Sequence, residues 1–227
     1  MKGISVTAVS DLHGHYPQLE GGDLLIVAGD LTARDAPEQW SEYFLWQGEL
    51  PYKKIIFIAG NHDNRLQAMS FPKLDMIFYS PGHKVDYLCD SGTEFEGLKI
   101  WGSPWTPLFD EVNPLCKAFM LPEAELEAKF AMIPADTDIL ITHGPPLGML
   151  DEVKRYDAGI IECVGSHALH YQLYSERIKP RLHVFGHIHG SYGHITKALD
   201  MPYTQFVNCS HVNERYQPVN KPIRIVL

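Results

Sequence analysis

A chain of 227 residues with 45% hydrophobic and 21% charged side chains can bury a substantial core and shows none of the bias of disordered, collagenous or coiled-coil sequences. Its formal net charge of -9 argues against tight, non-specific binding to a long polyanion, because such affinity comes from lysine and arginine neutralising phosphates. A small phosphate ester held by metal ions stays open, and no run approaches the ~18 apolar residues that a membrane span needs.

In chain order, the first predicted element is a strand, ISVTAVS, ending just before Asp11. Its apolar stretch is too short and too often interrupted by serine, threonine and then Asp11 for a signal peptide, so the expected compartment is the cytoplasm. A second strand, DLLIVAG, stops at Asp30, and a helix is predicted over 37–49 (PEQWSEYFLWQGE). A third strand, KKIIFIAG, stops at Asn61. From about 76 to 103, short strand-like runs broken by PG, DSG and EG turns predict a meander. Next come a helix over 122–132, opening with proline in its first turn, and a strand, DILIT, stopping at His143. A helix over roughly 162–178 follows, then a strand, RLHVFG, stopping at His187. Two last strands are read from 204 (TQFVNCS) and over 223–226 (IRIV).

Most of these strands are nearly continuous in apolar residues, the pattern of strands covered on both faces. Strand-helix alternation predicts a layered α/β architecture, with two sheets packed face to face and helices outside. No repeat or linker divides the chain, which predicts one domain over 1–227. Cys89, Cys116, Cys163 and Cys209 are scattered and match no CxxC pattern, so they read as reduced, structural thiols.

Ligands of open α/β sheets bind beyond the carboxyl ends of the strands. The residues there are Asp11 and His13, Asp30, then Asn61, His62 and Asp63, then His143, then His187 and His189. Each alone has an ordinary alternative: an Asx turn for Asp11, a helix cap for Asp30 and Asp63, a left-handed turn for Asn61, and a satisfied or solvated imidazole for each histidine. Taken as extended segments, Asp11 with His13 and His187 with His189 would each present two donors to one side, with Leu12 and Ile188 facing the core. Mixed His and Asp donors without thiolates suit first-row ions, and so many donors suit two ions sharing a bridging carboxylate. That pattern predicts phosphoester hydrolysis.

The ordered series D-x-H, G-D, G-N-H-D, H and G-H-x-H resembles the calcineurin-like metallophosphoesterases. The resemblance implies a four-layer αββα sandwich, two mixed sheets flanked by helices. It also implies one metal on Asp11, His13, Asp30 and His189 and another on Asp30, Asn61, His143 and His187, with Asp30 bridging. His62 would protonate the leaving oxygen after attack by metal-bound hydroxide, and Asp63 would orient His62. The ions implied are Mn²⁺ or Fe, with Zn²⁺, Ni²⁺ or Co²⁺ as alternatives. GSPWTP at 102–107, MIP at 132–134, THGPPLG at 142–148, LHVFGHIHGSYG at 182–193 and QPVNKPI at 217–223 resemble a subgroup containing the animal metallophosphoesterase-domain proteins. Some of those carry glycine where His187 stands here. The subgroup implies a phosphodiesterase acting on 2′,3′- or 3′,5′-cyclic nucleotides. A phosphomonoesterase or nuclease using the same centre is the alternative, and a non-catalytic scaffold ranks below both. The expected partner is a small phosphoester, with no stable nucleic-acid complex and no membrane. DEVNPLCKAF at 110–119 and HVNERY at 211–216 depart from the subgroup pattern. Outside the series, His15 is a candidate for the pocket rim, Arg34 for reaching a phosphate, and Trp101 and Trp105 for stacking against a base.

Overall fold

The apolar runs become strands whose alternate residues serve two different cores. In the computed structural model, which describes residues 3–68, 84–109, 115–155 and 159–227, β1 (Ser5–Val9), β2 (Gly22–Ala28) and β3 (Tyr52–Ile58) are parallel neighbours. With β4 (Val85–Tyr87) and β15 (Ile223–Val226) they form a sheet of order β15-β1-β2-β3-β4. The second sheet is built from β5 (Ser91–Phe95), β6 (Leu98–Ser103), β9 (Ile139–Thr142), β12 (Leu182–Phe185), β13 (Gly193–Ile195) and β14 (Gln205–Asn208). Its order is β13-β14-β12-β9-β6-β5.

Val6, Ala8, Leu24, Ile26 and Ala28 face Ile100, Ile139, Ile141, Val184 and Val207 across the space between the sheets. Leu25, Val27, Ile55 and Phe57 point the other way, onto Trp40 and Tyr43 of α1 (Pro37–Glu49). Leu140, Phe185 and Phe206 likewise leave the second sheet outward, onto Leu126 and Phe130 of α3 (Glu123–Phe130) and Leu169 and Leu173 of α4 (His167–Tyr174). Both faces of each sheet are therefore covered, which is why the strands carry so little polar alternation. The expected αββα sandwich is the observed one. α2 (Asn64–Ala68) follows the Asn61 loop.

Three expectations need correction. The predicted meander is divided between the sheets: β4 pairs parallel to β3 in the first, and β5 with β6 in the second. Residues 76–83 of that stretch lie outside the described ones. Within its described part, the hairpin is β5 with β6, turning at Glu96 and Gly97, both at positive φ (50° and 80°), as a tight two-residue turn requires. The helix expected over 162–178 spans only His167–Tyr174. Ser166 starts it, its hydroxyl accepting from Leu169 N at 3.2 Å, and Ile160–Cys163 instead form β11, paired with β10 (Glu152–Arg155). The predicted 122–132 helix is shortened to Glu123–Phe130, with Pro122 at its cap position. The remaining short strands are β7 (Thr106–Pro107) and β8 (Met120–Leu121). No helix among the described residues is long and apolar enough to cross a membrane.

Candidate metal centre

The ends of β1, β2, β3, β9 and β12 lie side by side, so the polar residues that follow them converge. β1 stops at Val9, and Asp11 and His13 both adopt left-handed backbone (φ 49° and 43°). His187 does the same (φ 68°), and His189 opens a 3₁₀ turn over His189–Ser191. Tight turns thus replace the extended i, i+2 geometry expected for both pairs. Cross-loop bonds hold the first turn: Asp11 N donates to Gly29 O at 3.0 Å and His13 N to Asp30 O at 3.1 Å. Leu12 and Ile188 are buried, as expected. Two glycines let the loops close. A Cβ on Gly60 would run into Asp30 Oδ1 and the His143 ring, and one on Gly186 into Asp11 Oδ2 and Ser10 Oγ.

Asp11 and Asp30 are buried at the centre. Asp11 accepts from Ser10 Oγ at 2.6 Å and from His187 N at 2.9 Å, and its other oxygen lies 3.1 Å from His189 Nε2. Asp30 Oδ1 accepts from His62 N at 2.9 Å and lies 3.5 Å from His143 Nε2, while Oδ2 lies 3.5 Å from His13 Nε2. Its two oxygens therefore address two different histidines, as a bridging carboxylate must. Donor atoms of Asp11, His13 and His189, of Asp11, Asp30 and His143, and of His13, Asp30 and His62 each fall within 4.8 Å of one another.

The donor set fits metal ions on physical grounds. His143 presents Nδ1 to Ala28 O at 3.0 Å and Nε2 to Asn61 Oδ1 at 2.9 Å. A neutral imidazole has one N–H and cannot donate to both, so this geometry calls for either a second proton or a cation. Burial opposes the proton, but Asp30, Asp11 and the Ala28 carbonyl outweigh it and raise the His143 pKa to about 9. Burial likewise disfavours charge on His189, yet the bond to Asp11 raises its pKa. Burial also works against the Asp11 and Asp30 carboxylates, and neighbouring histidines nonetheless hold both below the usual range. The partners they draw on are protons on histidines, where bound cations would place the same charge directly. His13 and His187 are kept neutral, at about 4 and about 3, burial being the main cause. Neutral imidazole is the form that binds a metal.

The predicted residues are brought together unevenly. Asp11, His13, Asp30, Asn61, His143 and His189 meet through donor atoms. His187 instead packs its ring at 4.9 Å between centroids from His143 and stacks on Phe109 at 5.8 Å. His62 Nε2 stands 3.9 Å from Asp30 Oδ2. Asp63 is a correction: its carboxylate accepts from Gly60 N at 2.7 Å and from Leu31 N at 3.2 Å, and makes no bond to the His62 ring. Those buried amides capture it first. Burial, reinforced by Asp30, pushes its carboxyl well above the usual range. Asp63 thus ties the Asp30 loop to the His62 loop. Asp63→Ala leaves two buried amides without an acceptor and is expected to cost on the order of 3 kcal/mol. A lower urea midpoint checks this; an unchanged midpoint would show that water takes the carboxylate's place.

The calcineurin-like phosphoesterase profile matches residues 4–191. Metallophosphoesterase domain-containing protein 1 of Homo sapiens and of Mus musculus are each 38% identical over 243 residues, spanning 96% of this chain and 69% of theirs. The chain belongs to the calcineurin-like phosphoesterase family. Membership makes it a phosphoric ester hydrolase that works with divalent metal ions. Two solved structures share the fold across 99% of both chains, one with a TM-score of 0.68 at 15% identity. The other, a Thermus thermophilus protein, has a TM-score of 0.58 at 14% identity.

For this family member, the centre floors a cleft of about 720 Å³. His15 and Arg34 line it, as their positions suggested. Trp101 and Trp105 do not: Trp105 donates to Asp90 Oδ2 at 2.7 Å under the Lys129 ammonium, and Trp101 lines a separate hollow. Tyr216, Leu115 and Cys116 complete the cleft and were not found from sequence. Tyr216 sets its ring 4.9 Å from His13 and 5.3 Å from His189. The only sequence signal for them was that both of their segments departed from the subgroup pattern.

Proposed function

We propose that this chain hydrolyses small phosphodiesters, cyclic nucleotides first among them, with Mn²⁺ or Fe as its ions. The observation that carries the reading is the pair of buried carboxylates, Asp11 and Asp30, ringed by histidine and asparagine donors beneath an open cleft. The cleft's volume of about 720 Å³ falls within the ~300–1,000 Å³ typical of small-molecule sites. When bound, divalent ions supply Lewis-acid activation of water and of the phosphoryl oxygens.

The chain's own residues do the rest. Asp30 spans the two halves of the centre, with Asp11, His13 and His189 on one side and Asn61, His143 and His187 on the other. His62, whose side chain keeps 13% of its surface open, directs Nε2 into the same space and delivers a proton to the leaving oxygen. Tyr216 walls the cleft beside it. Arg34 is exposed at the rim, and among the described residues that line the cleft it is the one arginine, with no lysine beside it. One rim cation suits the single charge of a diester better than a monoester dianion, and the net charge of -9 disfavours long nucleic acids.

The test is a metal-reconstituted screen. Bis-p-nitrophenyl phosphate and the cyclic nucleotides are expected to be cleaved at least about tenfold more efficiently than p-nitrophenyl phosphate, a difference of ~1.4 kcal/mol in transition-state binding. Short single-stranded DNA should survive. A monoester preference overturns the diester reading, and inactivity with every metal overturns catalysis itself.

A further inference from the structure

Residues 115–118 lie across the Asn61 loop like a strap. Asn61 Nδ2 donates to Cys116 O at 2.9 Å, Ala118 N to Asn61 O at 3.1 Å, and Asn64 Nδ2 to Leu115 O at 2.8 Å. The first of these bonds fixes the Asn61 amide: with Nδ2 held by the Cys116 carbonyl, Oδ1 has to face His143, where it is found at 2.9 Å. The same residue reaches the next side chain along, because Cys116 Sγ lies 3.6 Å from His62 Nδ1. The ring's other nitrogen, Nε2, faces Asp30 Oδ2 at 3.9 Å.

The geometry points to Cys116 as a positioning residue for His62, its sulfur accepting a hydrogen bond from Nδ1–H of the imidazolium so that the Nε2–H is held toward the reacting centre. The inference rests on the reading of His62 as the proton donor given above. An imidazole turned over about its χ2 exchanges Nδ1 with a carbon and Nε2 with another. Among the described residues, the sulfur is what distinguishes the two orientations on the outer side, since a ring N–H bonds to it and a ring C–H scarcely does. The His13 ring, edge-on at 4.6 Å between centroids, packs against either orientation. The Cys116 sulfur is a weak acceptor, and its place 3.6 Å from Nδ1 suits it to a ring N–H. The role is that of an outer-sphere orienting group, comparable with the partners that fix metal-bound histidines.

The test uses Cys116→Ala, Cys116→Val and Cys116→Ser in the metal-loaded protein, assayed on a 2′,3′-cyclic nucleotide, whose leaving group is an alkoxide that needs a proton. Loss of the acceptor is expected to lower kcat by about 10-fold or more with KM and bound metal unchanged, the scale on which orienting partners act. Valine should behave as alanine does, and serine, which restores an acceptor, should recover most of the activity. In a His62→Gln background the Cys116 substitutions should have no further effect. Nitrogen-15 NMR of the His62 ring gives a readout independent of turnover: a hydrogen-bonded Nδ1–H in the parent protein and in Cys116→Ser, and loss of that bond in Cys116→Val. Unchanged kcat in both Cys116→Ala and Cys116→Val overturns the inference. So does an equal loss with and without His62, or a loss of metal, since either would place the effect in the strap itself. Should His62→Gln alone leave kcat intact, the proton-donor reading fails, while the NMR measurement of the Nδ1–H bond still decides whether the thiol orients the ring.

Discussion

Asp30→Asn is expected to abolish hydrolysis while the fold survives. The backbone at Asp30 is left-handed (φ 53°), a region asparagine enters as readily as aspartate, and an amide oxygen can still accept from His62 N. What disappears is the second anionic oxygen. Asp30 Oδ1 faces His143 and Oδ2 faces His13, and an amide offers one acceptor and one donor where two acceptors are needed. The donor would point at a cation, which is repulsive, or would occupy the imidazole nitrogen that a cation needs. The centre should therefore hold one metal or none in place of about two, and kcat should fall by on the order of 10³-fold or more, the scale of losing a transition-state charge stabiliser. His143 should lose its raised pKa, since Asp30 is the foremost of the groups that lift it against burial. Elemental analysis of the purified variant and a diester assay at saturating Mn²⁺ check the expectation, with thermal unfolding as control for the fold. A variant that binds both metals and turns over would remove Asp30 from the bridging role.

What the sequence could and could not tell divides along the range of the interactions involved. The doubly covered strands were legible because burial on both faces writes itself into every position of a run such as DLLIVAG, where Leu24 and Ile26 go to one core and Leu25 and Val27 to the other. The centre was legible because its residues sit at strand ends, whose place in an α/β sheet is set by topology. Their backbone shape was not, since the turns at Asp11, His13 and His187 depend on amides donated across loops. The β10 and β11 hairpin was missed because its strands are largely exposed and carry no apolar period; pairs such as Arg155 with Glu162 decorate it. Cys116 was read as structural and Tyr216 was not singled out at all. Both reach the site only through folding: Cys116 meets a histidine more than fifty residues earlier in the chain, and Tyr216 packs on His13 from near the other end. Asp63 shows the opposite error. Its neighbour in sequence is His62, but its carboxylate is satisfied by Gly60 and Leu31, and proximity along the chain did not become a contact.

His62→Gln separates proton donation from metal binding. With a cyclic nucleotide the departing oxygen is an alkoxide and needs a proton, so kcat should fall by about 10²–10⁴-fold, the usual worth of a positioned general acid. With bis-p-nitrophenyl phosphate the leaving group is a stable phenolate, and the loss should be far smaller. A purely structural effect would lower both rates alike, which makes the ratio of the two the decisive measurement. Metal content discriminates further. His62 Nε2 lies 3.9 Å from Asp30 Oδ2, and it shares a cluster with His13 and Asp30 whose donor atoms fall within 4.8 Å of one another, so distance alone does not exclude ligation. Its side chain nevertheless opens to the cleft, and its backbone N–H is the group that binds Asp30, a bond that glutamine retains. The variant should consequently keep the parent's metal complement. Metal loss equal to that of Asp30→Asn would make His62 a ligand, and the leaving-group proton would then have to come from elsewhere in the cleft, where His15 is another lining imidazole.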